Sequence, residues 1–143
     1  MILLVDVGNS RIKWATLSKG KLEHRGAAWR EKDRDAIAAD LEQLWRKLKK
    51  PGAVLVSNVA GPVYADALSA WALERWQVQP RFVVAERSAF NVTNAYSKPE
   101  RLGADRWAAL IAARRRVTGP ACIIDAGTAV TIDVLTAQGS HQG

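Results

Sequence analysis

Cysteine and histidine are almost absent from this sequence. The single cysteine, Cys122, excludes an intrachain disulfide framework and any metal site built from several thiolates. Two histidines, His24 and His141, are too few for a histidine-rich metal centre. No run approaches the roughly 20 apolar residues of a membrane helix. The apolar start Ile2-Leu3-Leu4-Val5 meets Asp6 too soon to form a signal-peptide core of about 7–15 residues. The expectation is therefore a soluble, cytoplasmic protein, and the sequon Asn91-Val92-Thr93 is read as chance. Acidic residues are the minority charge, 14 against 21 Lys and Arg, which leaves a net +7 over 143 residues. That balance favours anionic partners without separating a nucleotide from a nucleic acid.

What is present suits a folded domain. Hydrophobic residues make up 48% and charged residues 24%, neither a disordered nor a fibrous composition. A chain of this length can bury about 70% of its unfolded surface. Ile2–Val7 reads as a strand buried on both faces, followed by a turn at Gly8-Asn9-Ser10. Arg11–Leu17 alternates as a second strand, and Leu22–Trp29 is a weaker third. A helix capped by Asp33 or Asp35 carries Ile37, Leu41, Leu44, Trp45 and Leu48 on one stripe. Lys47, Lys49 and Lys50 suit its C-terminal dipole, and Pro51-Gly52 stops it. Strand Ala53–Asn58, helix Val63–Trp76 and strand Arg81–Ala85 follow. Three hairpin-type strands followed by crossover helices imply a mixed sheet covered by helices. Glu86–Glu100 reads as a polar loop, long enough to suggest function. Helix Leu102–Val117, strand Ala121–Asp125 and strand Ala129–Leu135 complete the pattern. The tail Gln138–Gly143 carries none.

Two segments echo each other. Ile2–Ser10 and Ala121–Ala129 each run from an apolar strand into Asp-x-Gly, a small polar residue and a second strand. A carboxylate there sits at the sheet rim, and the glycine lets the backbone approach a phosphate closely. Two such hairpins could grip a polyphosphate and its metal, although Asp-x-Gly is also an ordinary hairpin turn. The echo implies a duplicated domain whose second copy is only begun in these residues. A second cluster, Tyr96 to Arg106, places Asp105 and Arg106 just after Gly103 in the first turn of a helix. They read either as a base with an anion clamp or as a helix cap.

Asp6-Val7-Gly8-Asn9-Ser10-Arg11-Ile12-Lys13, Gly103-Ala104-Asp105-Arg106 and Asp125-Ala126-Gly127-Thr128-Ala129-Val130-Thr131 stand in the order found in type III pantothenate kinases. The chain resembles that family over essentially its whole length. The resemblance implies an α/β, ribonuclease H-like, actin-type ATPase fold. Its mixed sheet would be flanked by helices and its domain duplicated, with a first lobe over residues 1–100 and an incomplete second lobe over 101–143. It implies ATP-dependent phosphorylation of pantothenate to 4'-phosphopantothenate, the opening step of coenzyme A biosynthesis.

The site residues follow from the same resemblance. Asp6, Val7, Gly8, Asn9, Ser10, Arg11, Ile12 and Lys13 would form the first phosphate-binding hairpin, with Asp6 near Mg2+ and Lys13 available to phosphate. Tyr96 would contact pantothenate. Gly103, Ala104, Asp105 and Arg106 would form the substrate segment, with Asp105 the catalytic base. Asp125 would bind a monovalent cation, K+ or NH4+, and Thr128 an ATP phosphate. Ser10 stands where many relatives have threonine; both supply a hydroxyl. Family members run longer, and the remainder would finish the second lobe and supply the adenine-side wall and much of a homodimer contact. These residues alone are therefore expected to lack useful kinase activity.

The rival reading is a non-enzymatic transcription-accessory protein of the same family. Asp6, Asp105 and Asp125 argue against it, since carboxylates at three rims would repel an anionic polymer. A sugar or acetate kinase of the same superfamily is disfavoured by the Gly103–Arg106 segment. Arg114-Arg115-Arg116 reads as a solvated helix end, so nucleic acid is not an expected partner. Cys122 is expected in the core, Trp71 and Trp107 are expected to pack, and neither histidine has a visible partner.

Overall fold

The computed structural model describes residues 1–143 as two compact units, Met1–Phe82 and Val83–Gly143. The first unit contains β1 (Ile2–Val7), β2 (Arg11–Ser18), β3 (Lys21–Trp29), α1 (Arg34–Trp45), β4 (Ala53–Asn58), α2 (Pro62–Trp76) and β5 (Arg81–Phe82). Its strands form one mixed sheet in the order β3-β2-β1-β4-β5. β1 pairs antiparallel with β2 and parallel with β4, so the crossover through α1 returns the chain beside β1. This is the mixed α/β sheet that the pattern of strands and helices implies.

Register explains the core. Opposite residues share a face, and Leu3–Thr16, Val5–Trp14 and Val7–Ile12 are partners across β1 and β2. Leu3, Val5, Val7, Ile12, Val54 and Val56 are buried with Ile37, Leu41 and Trp45 of α1 and Tyr64, Leu68 and Trp71 of α2. The other face of β1, carrying Ile2, Leu4 and Asp6, is only half-buried, so the expectation of burial on both faces fails for this strand. An indole cluster fills the space beneath the helices. Trp45 lies 5.5 Å from Trp71 and 6.0 Å from Trp76 between ring centres, and Trp14 meets it edge-on at 6.2 Å.

Asp33 caps α1 by accepting hydrogen bonds from the Asp35 and Ala36 amides at 3.0 and 3.2 Å. The helix stops at Trp45, well before Pro51. Lys47, Lys49 and Lys50 therefore lie past its last turn and do not serve its dipole. The reason is local: once Trp45 is seated in the core, the chain turns, with the Leu48 amide donating to the Trp45 carbonyl at 2.9 Å. β5 is shorter than expected, because only Arg81 and Phe82 pair with β4.

The second unit contains β6 (Ser88–Ala89), β7 (Val92–Thr93), a 3-10 turn at Pro99–Arg101, α3 (Ala104–Arg116), β8 (Ala121–Ala126) and β9 (Val130–Leu135). The expected loop from Glu86 thus holds a small ribbon, turned at Phe90 and Asn91, both with positive φ. β8 and β9 form a hairpin in the register Ala121–Leu135, Ile123–Asp133 and Asp125–Thr131. That face meets Trp107 and Leu110 of α3, whereas Cys122, Ile124, Val130, Ile132 and Val134 on the opposite face are exposed. The core position expected for Cys122 is thereby corrected: its strand has one covered face, and Cys122 is on the other. The tail is also ordered, since His141 donates its amide to Thr93 and Gln142 donates to Val134, both at 2.9 Å. No helix in the chain is long and apolar enough to cross a membrane.

Candidate active site

The first hairpin places Asp6 at the C-terminal end of β1. Lys13, its cross-strand partner on β2, sits 3.6 Å away, and both side chains are substantially exposed. The turn closes when the Gly8 amide donates to the Arg11 carbonyl at 2.9 Å. A Cβ on Gly8 would stand 3.3 Å from that same oxygen, so the close approach favours glycine. Arg30, just past β3, fixes the turn from outside. Its Nη2 donates to the Asn9 carbonyl at 2.8 Å and its amide donates to the Ser10 carbonyl at 2.9 Å. Val7 and Ile12 have no exposed side chain, which leaves only their main chain for a ligand. Arg11 stacks over Trp29 at 4.6 Å from the ring centre.

The second hairpin repeats the device. The Gly127 amide donates to the Ala129 carbonyl at 3.0 Å, as the Gly8 amide does across the first turn. Asp125, at the end of β8, and Thr128, in the turn, are both exposed. Asp6 and Asp125 thus occupy equivalent positions in two hairpins of like build, each within its own unit. No group of three or more His, Cys, Asp or Glu side chains stands ready to hold a metal ion. Lone carboxylates suit Mg2+, which takes one or two carboxylates and completes its shell with water and phosphate oxygens.

The Tyr96–Arg106 segment is where the structure gathers most side chains. Arg87 holds its loop by donating to the carbonyls of Tyr96 and Ser97, each at 2.7 Å. Buried Asn94 accepts from the Tyr96 amide at 3.0 Å. Gly103 is the N-cap of α3 and offers no side-chain cap. Ala104 is buried, so Gly103 and Ala104 present backbone. Asp105 is half-buried in the first turn, and its Oδ1 accepts from the Arg106 amide at 2.7 Å. It therefore satisfies one free N–H of the helix end without being the N-cap, so the capping and acid–base readings are compatible.

Arg106 is the hub. Its Nε–H donates to Asp133 Oδ2 at 2.9 Å, its Nη2 to Asp133 Oδ1 at 2.6 Å, and its Nη1 to the Tyr96 hydroxyl at 3.0 Å. Asp133 is 2% exposed and its Oδ1 also lies 2.7 Å from His141 Nε2. Burial pushes the Asp133 carboxyl up, but hydrogen bonds from Arg106 and His141 outweigh it and hold the group below the usual range. The guanidinium, tied chiefly by the Asp133 hydrogen bonds, is shifted further above its already high value. Sequence reasoning missed Asp133 and left His141 without a partner. Asp133 shares its strand face with Thr131 and Leu135, while Val130, Ile132 and Val134 line the exposed face, so alternation in the sequence points to the wrong face as the covered one.

Comparison with known proteins gives the family. A family model described as Type III pantothenate kinase matches residues 2–143. A type III pantothenate kinase of Nitrosococcus oceani is 47% identical over 148 residues, covering 100% of this chain and 55% of that protein. Those of Nitrosomonas eutropha and Halorhodospira halophila are 43% and 41% identical, covering 99% and 100% of this chain and 53% and 58% of theirs. The chain spans about half the length of the curated relatives it matches. On the match to residues 2–143 and these identities, the chain belongs to the type III pantothenate kinase family.

Proposed function

We propose that this chain carries the phosphate-gripping hairpins and the acceptor segment of an enzyme that phosphorylates pantothenate with ATP, giving 4'-phosphopantothenate for coenzyme A biosynthesis. The fold is of the actin type. Residues 1–100 belong to a first lobe and 101–143 begin a second, with residues 83–100 packed in the second compact unit. The whole protein is a cytoplasmic homodimer joined through the second lobe.

The transferred phosphoryl group is close to a free metaphosphate, so positioning and neutralisation dominate the chemistry. Backbone amides of the Asp6–Lys13 hairpin, the Lys13 ammonium and the Thr128 hydroxyl hold the triphosphate. Asp6 and Asp125 are the carboxylates for Mg2+ and for K+ or NH4+; those cations supply neutralisation of phosphate charge when bound. Tyr96, Arg106 and the backbone of Gly103 and Ala104 orient pantothenate. Asp105 accepts the proton of the pantothenate primary hydroxyl as that oxygen attacks the terminal phosphorus of ATP and the bond from that phosphorus to the bridging oxygen breaks, releasing ADP.

The observation that carries this reading is Asp105 set directly beside Arg106, whose guanidinium bonds to the Tyr96 hydroxyl. The test measures ATP-dependent phosphorylation of pantothenate by this chain and by the chain extended with the remaining residues of the Nitrosococcus oceani relative. Turnover is expected only in the extended protein. Lack of pantothenate phosphorylation by the extended protein would overturn the reading, and equal rates would overturn the claim that these residues are insufficient.

A further inference from the structure

Asp133 and His141 are absorbed by nothing described so far, yet they are the most deeply buried polar pair in the second unit. The His141 side chain has no exposed surface and Asp133 has 2%. A carboxylate only accepts, so Nε2 of His141 carries the proton that reaches Asp133 Oδ1. The same carboxylate receives both fork donors of Arg106. The His141 ring lies nearly parallel to Tyr96, 13° between planes and 6.1 Å between centres, while Arg106 Nη1 reaches the Tyr96 hydroxyl from the other side. Four side chains thus close a ring in which every member touches two others.

The backbone is arranged to put His141 there. β9 ends at Leu135, and the chain folds back through a tight loop in which Gly139 donates to Thr136 and Thr136 to Ser140, both at 2.9 Å. Gly139 adopts φ +87°, and any Cβ on it would collide with the Asn91 carbonyl. The His141 amide then anchors on Thr93 of the ribbon at 2.9 Å. His141 Nδ1 is buried without a hydrogen-bond partner, a cost that packing alone gives no reason to bear.

We infer that Asp133 and His141 are positioning residues for the acceptor substrate: they lock the Arg106 guanidinium and the Tyr96 ring into one arrangement before pantothenate arrives. Arg106 alone is a flexible chain with many rotamers. Bound on its fork by Asp133, it keeps one free proton on Nη1 and one on Nη2 in fixed directions for a ligand. His141 holds the carboxylate from its remaining side and backs the Tyr96 ring. Supporting groups of this kind set how well a binding constellation is pre-organised. The role rests on the reading of Tyr96 and Arg106 as pantothenate contacts.

The experiment uses the chain extended with the remaining residues of the Nitrosococcus oceani relative and compares it with its His141→Phe variant, which keeps a stacked ring but no donor, and with its Asp133→Asn variant. Hydrogen exchange at the Arg106 Nε–H is followed by NMR, and the affinities for pantothenate and for MgATP by calorimetry. His141→Phe is expected to speed Arg106 Nε–H exchange and to weaken pantothenate about tenfold, the worth of one hydrogen bond to a charged group. MgATP affinity of His141→Phe should stay unchanged, whereas a merely structural role would weaken both ligands alike. Unaltered Nε–H exchange in both variants would overturn the lock, whatever the ligand. Faster exchange with undiminished pantothenate affinity would overturn its link to the substrate. Should the unsubstituted extended protein take up no pantothenate, the substrate reading fails and the role falls with it, while retained MgATP binding shows that the nucleotide half of the reading stands.

Discussion

Asp133 is held below the ordinary aspartate value of 3.8 because two hydrogen-bonded partners outweigh its burial. A carboxyl depressed in the folded state adds stability that is full above the unfolded value and disappears as pH falls through the folded one. Thermal melts from pH 7 down to pH 2 should therefore show a loss on the acid side. Asp133→Asn should flatten that acid loss while lowering stability at pH 7. Removing one member of a buried pair costs about 3–5 kcal/mol, and the lower end applies here because Arg106 keeps some contact with solvent. An unchanged acid limb in Asp133→Asn would show that the pair contributes nothing through its charge. At this scale the sequence showed the exposed chemistry and hid the buried chemistry. Asp6, Asp105 and Asp125 stand in short motifs that local turn physics makes visible. His141 owes its role to Asp133 and Tyr96, partners brought to it by β9 and the loop before α3, and no local pattern around Gln138–Gly143 announces that.

At the level of elements, strand register decides which substitutions matter. Gly26 lies opposite Trp14 in the β2–β3 ladder, and a Cβ there would run into the indole. The indole cannot retreat freely, since it packs edge-on against Trp45. Gly26→Ala is expected to cost about 1–3 kcal/mol in urea unfolding, the usual penalty of overpacking. The β8–β9 hairpin offers a contrast between its two faces. Leu135 is fully buried, and Leu135→Ala should cost about 2–5 kcal/mol. Ile132, 57% exposed three residues earlier, should tolerate Ile132→Thr within about 0.5 kcal/mol. Equal costs at the two positions would mean that the outer face is covered. The same contrast explains what periodicity could and could not tell. β1 and β4 are legible as strands because each is a short apolar run, and the stripe of α1 because helical spacing is written in it, but an unbroken apolar run does not say which face of β1 is covered. Cys122 was assigned to the core because apolar composition does not say which of two sheet faces is covered. The ribbon at Ser88–Thr93 was unreadable because Phe90-Asn91 lacks the glycine that ordinarily marks such a turn.

On the scale of the molecule, two units each present an Asp-x-Gly hairpin closed by a glycine amide, Gly8 bonding to Arg11 at the start of β2 and Gly127 to Ala129 just before β9. The chain as a whole carries a net +7, a balance that favours anionic partners such as a polyphosphate. In the proposed function, proton abstraction from pantothenate by Asp105 is the decisive step. The most direct test is transfer of the labelled terminal phosphate of ATP to pantothenate by the chain extended to the length of its Nitrosococcus oceani relative, with and without Asp105→Asn. The account predicts that the substitution lowers turnover by about 10²–10⁴, the usual worth of a general base, with little change in MgATP affinity. Near-normal turnover in Asp105→Asn would contradict it and leave Asp105 as a residue that merely satisfies the first turn of its helix.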